Sequence, residues 1–180
     1  MTLAAAARLA GLSLALAAAG CASMDPLPAA ADDARSAAAF ERMKGLAGAW
    51  KGEMAFGPDR MPATVEYRVT SGGTAVEEIL GRGGPYEMVT LYHRDGTRLL
   101  LTHYCAAGNQ PTMVLAPGDD PAVLHFDFLR ASNLKTPGEG HMHEATFEFP
   151  APDRLKTTWT YWEDGKPGMA ATMDMKRAKP

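Results

Sequence analysis

From residue 50 onward the chain alternates apolar and polar side chains in runs of roughly five to ten residues, and clusters of turn-forming residues cut the runs apart. The clusters are Gly57-Pro58-Asp59, Ser71-Gly72-Gly73, the segment 81–85 (GRGGP), Arg94-Asp95-Gly96, Gly108-Asn109, Pro117-Gly118-Asp119, Pro137-Gly138, the segment 150–153 (PAPD) and Asp164-Gly165. Alternation with period two marks half-buried strands, and nine separators predict about ten of them. No helical pattern intervenes, so the strands connect as hairpins into an antiparallel sheet. Closure into an up-and-down β-barrel leaves no unpaired edge. Ahead of the strands, residues 36–46 (SAAAFERMKGL) carry a capping serine, Phe40, Met43 and Leu46 at helical spacing, and a terminal glycine. They predict one short N-terminal helix. The expected fold is therefore all-β, an antiparallel barrel of about ten strands with one helix in front.

The alternation also assigns inner faces. Trp50, Met54 and Phe56 share one; Val65, Tyr67 and Val69 another; then Leu124, Phe126 and Phe128; Trp159 and Tyr161; and Met169, Ala171, Met173 and Met175. The expected interior is aromatic and methionine-rich, with Tyr67, Phe126, Phe147, Trp159 and Tyr161 as candidate walls of a ligand pocket. Small barrels are also filled by their own side chains, and both outcomes stay open at this point.

Polar residues in phase with an apolar face are the candidate site. His103 falls in phase with Leu99, Leu101 and Cys105. His141 and His143 fall in phase with Ala145, Phe147 and Phe149. Glu78 is in phase with Val76 and Leu80, although Glu77 with Ala75 and Ile79 fits nearly as well. His125 and Asp127 oppose their strand's apolar face and are expected outside. Two residues apart on a strand, His141 and His143 have Cα atoms roughly 6 to 7 Å from one another. That spacing lets two imidazoles share a transition metal, with His103 or Glu78 as a third ligand. The alternative is a hydrogen-bonded histidine pair. Asn109 and Gln110 close the polar stretch after His103, where they serve either a ligand's polar head or the turn itself.

Composition narrows the functional classes. The 180 residues are 46% hydrophobic and 22% charged with a net charge of −3, which excludes a disordered chain and gives no basic surface for nucleic acid. No nucleophile elbow, Walker loop, H-E-x-x-H or paired-cysteine motif is present. The glycines of 81–84 introduce no helix, so they form no helix-dipole phosphate site.

The first residues have a different character. Arg8 precedes an apolar run over 9–19, and Ala18, Ala19 and Gly20 stand directly before Cys21. The run is too short to span a bilayer and has the layout of a secretory signal. The small residues before the cysteine resemble the lipobox of bacterial lipoproteins, with alanine at position 18 where leucine is commoner. That resemblance implies a signal peptide over 1–20, acylation of Cys21 as lipid attachment, and, with Ala22 following the cysteine, an outer-membrane lipoprotein facing the periplasm. Cleavage after Ala17-Ala18-Ala19, leaving a free periplasmic protein, is the competing reading. Removing 1–20 leaves 160 residues with a net charge of about −4. Residues 21–35, with two prolines, three aspartates and no aromatic residue, are expected to act as a lipidated flexible tether, and 36–180 as the barrel domain. With Cys21 on lipid, Cys105 has no partner for a disulfide and is expected to serve as a small buried apolar residue.

The segment 40–52 (FERMKGLAGAWKG) resembles the opening of the calycins, the superfamily of lipocalins and fatty-acid-binding proteins, in which a short helix leads into a first strand bearing G-x-W. The resemblance implies that Gly48 permits a close chain approach and that Trp50 plugs one end of the barrel. Through Gly52 the extended G-x-W-x-G is also similar to nitrobindin-like haem-binding barrels, which implies haem ligation by His103, His141 or His143. Three functions remain: a binding barrel for a small apolar or amphipathic molecule, a metal- or haem-dependent enzyme using the three histidines, and a structural envelope lipoprotein with a filled barrel. The anchor is testable by growth with radioactive fatty acid. Wild type should be labelled and Cys21→Ser unlabelled; equal labelling would defeat lipidation at Cys21.

Overall fold

The computed structural model describes residues 26–179; the leader and Cys21 lie outside the described residues. Helix α1 (Asp33–Lys44) is followed by ten strands: β1 (Gly48–Phe56), β2 (Asp59–Thr70), β3 (Ala75–Leu80), β4 (Met88–Asp95), β5 (Arg98–Tyr104), β6 (Gln110–Leu115), β7 (Val123–Ser132), β8 (His141–Ala151), β9 (Arg154–Glu163) and β10 (Lys166–Arg177). Each strand pairs antiparallel with its sequence neighbours, and β1 pairs with β10 to close the ring. The expected all-β up-and-down barrel is the fold observed.

The helix starts earlier than its serine suggests. Asp32 is the cap, accepting a hydrogen bond from the Arg35 amide at 2.7 Å, while Ser36 is buried inside the first turns. Asp32 outcompetes Ser36 because an aspartate there also places a negative charge at the positive helix end. Two residues of the segment 21–35, Ala31 and Arg35, are docked on the barrel. Ala31 is buried and its amide donates to the Leu115 carbonyl, and Arg35 donates to the Ala116 and Val123 carbonyls. The end of that segment belongs to the barrel.

α1 covers the end where β1 begins and β10 ends. Trp50 is buried there, its indole N–H donates to the Leu46 carbonyl at 2.8 Å, and the Arg177 guanidinium lies 4.4 Å above its ring. Arg177 also donates to the Gly45 and Ala47 carbonyls, so one side chain ties the last strand to the turn after α1. Phe40, Met43 and Leu46 bury against this plug. The two glycines of the motif divide their roles differently from the expectation. Gly48 has φ +120°, and a Cβ there would meet the Arg177 guanidinium at an ordinary 3.5 Å, so it supplies backbone freedom; Gly52 supplies the close approach, since a Cβ there would stand 2.0 Å from the Asp174 carbonyl oxygen.

Above the plug the interior is solid. Tyr92, Phe126 and Phe147 meet edge to face with centroids 5.9 to 6.3 Å apart, and Trp159 joins Phe147 at 5.8 Å. Val69 and Met169, expected inside, are exposed because they sit at strand ends beyond the ring of inward neighbours. Gly52→Ala should destabilise the barrel by about 1 to 3 kcal/mol, the usual cost of forcing a methyl into filled space. Urea unfolding measures it; an unchanged midpoint would show that the β1–β10 seam is not the tight contact described.

Candidate functional site

At the opposite, uncovered end the interior changes character. Strand register places four inward polar side chains side by side across four strands: Tyr67 opposite Glu78, Glu78 opposite Thr90, and Thr90 opposite His103. Tyr92, one inward position deeper on β4, donates its hydroxyl to Glu78 Oε2 at 2.5 Å, and Tyr67 also hydrogen-bonds that carboxyl. His103 Nδ1 lies 2.9 Å from Thr90 Oγ1. Its Nε2 is buried without a partner, and its ring stands 4.9 Å from Trp159. Glu78 and His103 are only 3% and 5% exposed. Glu77, the competing choice on β3, turns outward and pairs with Arg68.

Facing this polar row is a thioether wall. A cavity of about 30 Å³ is enclosed by Glu78, His103 and Trp159 together with Met54, Met88, Met142, Met173, Leu80 and Ala171. That volume admits a water molecule or a single ion, but not a drug-sized molecule while the side chains stay in place. Of six exposed large apolar side chains among the described residues, Met61, Tyr86, Tyr104 and Met169 all lie on the strand ends and loops of this open end.

His141 and His143 do not line this cavity. The β8–β9 register slips between Met142 and Glu144, pairing Met142 with Tyr161 and Ala145 with Trp159. The bulge inserts one residue, so the period-two rule breaks there and Met142 takes the cavity position expected of a histidine. The two histidines bond each other instead. His141 Nδ1–H donates to the Glu139 carbonyl at 2.8 Å, which leaves its Nε2 to accept from His143 Nδ1–H at 3.0 Å. His143 is sandwiched between Phe128 and Trp162, with centroids 4.3 and 4.1 Å away, and burial followed by the His141 charge lowers it to about 4. The hydrogen-bonded pair is thus the arrangement adopted. Among the described residues no three His, Cys, Asp or Glu side chains converge as a metal site. The expected His103, His141, His143 ligand set is not assembled among the described residues. A haem does not fit either, because the space beside His103 is about 30 Å³.

The remaining expectations sort by position. Trp159 lines the cavity, whereas Phe126 and Phe147 are committed to the solid core and Tyr67 reaches the site through Glu78. Tyr161 lies against Gly140, where a Cβ would meet its hydroxyl oxygen at 1.5 Å. Asn109 and Gln110 serve the turn: Asn109 is buried and donates to the Gly140 carbonyl, and Gln110 donates to the Gly108 carbonyl. Cys105 is half-buried rather than buried. His125 is half-exposed, as expected, 3.0 Å from Asp127. Thr90, Tyr92, Met88 and Met142 were not anticipated. The alternation Met88, Thr90, Tyr92 in β4 carried the first three, but nothing in the sequence marks the bulge that turns Met142 inward. A wider groove of about 700 Å³ beside α1 holds Arg42, Arg154 and Arg177. Arg42 lies over Phe149, Arg154 pairs with Asp174 through one terminal nitrogen while its Nε has no partner, and Arg177 bonds backbone carbonyls.

The chain matches no family model and no curated protein. Among solved structures it is similar to Rv2717c from M. tuberculosis, with TM-score 0.57 and 13% identity over 78% of this chain and 98% of that one. It is also similar to a protein of unknown function of the DUF3598 family from Nostoc punctiforme PCC 73102, with TM-score 0.53 and 13% identity over 76% of this chain. The chain corresponds to 49% of that second protein's length. At this identity the likeness establishes the shared barrel fold alone.

Burial favours the neutral form of both polar cavity groups. It raises the Glu78 carboxyl from 4.5 to about 7, against the hydrogen bonds from Tyr92 and Tyr67, and it lowers His103 from 6.5 to about 4. Burial, and then the Glu78 charge, push the Tyr67 and Tyr92 phenols well above their ordinary range, so both remain donors. Between pH 4.5 and about 7 the folded protein holds a proton on Glu78 that the unfolded chain releases, so this contribution to stability is lost as pH rises. His103 acts oppositely, its contribution being lost as pH falls from 6.5 through about 4. In urea unfolding, the stability of Glu78→Gln relative to wild type should climb by up to about 3 kcal/mol from pH 4.5 to 7. A pH-independent difference would contradict the buried acid.

Proposed function

We propose that the chain is an exported, lipid-anchored barrel, held at the outer membrane through Cys21, that takes a small, largely apolar or amphipathic molecule into its open end. The observation that carries this reading is a buried, unpartnered His103 Nε2 beside a buried Glu78 in a cavity otherwise walled by methionine and tryptophan. An unsatisfied buried polar atom costs roughly 1 to 3 kcal/mol, and a ligand's polar group removes that cost. Methionine side chains have three rotatable bonds and reshape easily, so the wall opposite can open as a tail enters. The exposed Met61, Tyr86, Tyr104 and Met169 give that tail an apolar threshold. Glu78, protonated below about pH 7, offers a hydroxyl donor as well as an acceptor to the same head group.

The closed end supports the reading by contrast. Its aromatic core is solid and Trp50 and Arg177 bond the turn after α1, so it provides rigidity while the other end provides room. A bromine-tailed long-chain alcohol tests the proposal, because bromine quenches nearby indole emission and Trp159 is the tryptophan at the cavity. Wild type should show saturable quenching, and Glu78→Gln and His103→Gln should each weaken it by about tenfold, the equivalent of one lost hydrogen bond. No quenching, or equal quenching in all three proteins, would sink the apolar-ligand reading.

A further inference from the structure

The cavity's composition is unusual in a specific chemical sense. Its polar atom without a partner is an imidazole nitrogen, and four of the side chains around it, Met54, Met88, Met142 and Met173, are thioethers. These four methionines come from four strands, β1, β4, β8 and β10, and converge on one space of about 30 Å³. A hydrophobic core needs no such convergence, since leucine fills space with better-defined rotamers. Thioether sulfur is a soft donor that selects soft, low-charge cations, while imidazole suits the same ions and strengthens the site. The volume is that of one ion or one water.

We propose that this cavity binds a single soft monovalent cation, Cu(I) or its analogue Ag(I), through His103 Nε2 and the thioethers around it. The inference rests on the reading of that cavity as the ligand site and names a different ligand class for it. His103 is prepared for the role. When Nδ1–H donates to Thr90 Oγ1, Nε2 presents its lone pair to the cavity, and the Thr90 contact fixes ring orientation as an outer-shell partner does. The Trp159 ring beside His103 adds a π face attractive to a cation. Glu78 supplies nearby compensating charge when ionised, while its hydrogen bonds from Tyr92 and Tyr67 hold it in place. Hard divalent ions have little to bind, since Glu78 is the one carboxylate lining the cavity and no second imidazole lines it.

The test is titration of the detergent-purified full protein carrying Cys105→Ser and treated with N-ethylmaleimide, so that no thiol competes. Ag(I) should bind at one per chain and change tryptophan emission, and anaerobic Cu(I) supplied against a chelator should do the same, whereas Zn(II) should not bind. His103→Gln, and separately the volume-conserving pair Met54→Leu with Met173→Leu, should weaken binding by roughly a hundredfold, because even outer-shell changes at metal sites cost about ten- to a hundredfold. Urea unfolding confirms that each variant folds, and the methionine pair decides the matter if His103→Gln does not. The His141→Ala and His143→Ala variants should bind as wild type does. Silver refused, bound by His103→Gln and the methionine pair as tightly as by wild type, or matched by Zn(II) would overturn the inference. If the bromine-tailed alcohol binds and silver does not, the inference fails and the apolar-ligand reading stands; silver at His103 with the alcohol excluded would uphold the inference and sink that reading.

Discussion

A sheet closed on itself encloses a volume that side chains must fill, and here the pairing of β1 with β10 closes it. At the seam Gly52 lets the two strands approach, while Arg177, from the last strand, lies over Trp50 and bonds the carbonyls that follow α1. One end of the ring is thereby fixed and solid. At the other end no helix among the described residues covers the strands, and the inward row passes from aromatic to polar.

The polar row follows from register. In a closed antiparallel ring, neighbouring inward residues stand opposite one another, so Tyr67, Glu78, Thr90 and His103 form a continuous band once the hairpins are set. Glu78 is surrounded by donors and His103 is not. The first group is therefore held in place by the fold, and the second retains an unsatisfied nitrogen facing a soft wall. Burial keeps both groups neutral over an overlapping pH range, which lets a carboxyl and an imidazole share an apolar interior without an ion pair's desolvation cost.

The architecture was legible because alternation and turn chemistry agree along the whole chain: nine separators imply ten strands, and the antiparallel closed ring follows. Glu78, His103 and Trp159 were legible for the same reason, each lying in phase with an unbroken apolar face. His141 and His143 were misplaced because a single inserted residue at a bulge reverses parity, and His-Met-His carries no local sign of it. The helix start was displaced because Asp32 and Ser36 both read as caps, and the charge of Asp32 at the helix end together with the tertiary anchoring of Ala31 and Arg35 selects the first. Phe126 and Phe147 lie in phase as expected, but periodicity does not distinguish depth along a barrel, so their place in the solid half was not visible.

The central claim is that binding is confined to the methionine wall of the open end. Methionine-methyl NMR during titration with either the bromine-tailed alcohol or Ag(I) tests it most directly, since each methyl reports its own position. The account predicts shifts at Met54, Met88, Met142 and Met173 with Met43 and Met113, in the solid interior, unmoved. Shifts at Met43 and Met113 as large as those at the cavity, or no shift at the cavity methionines on saturation, would contradict it.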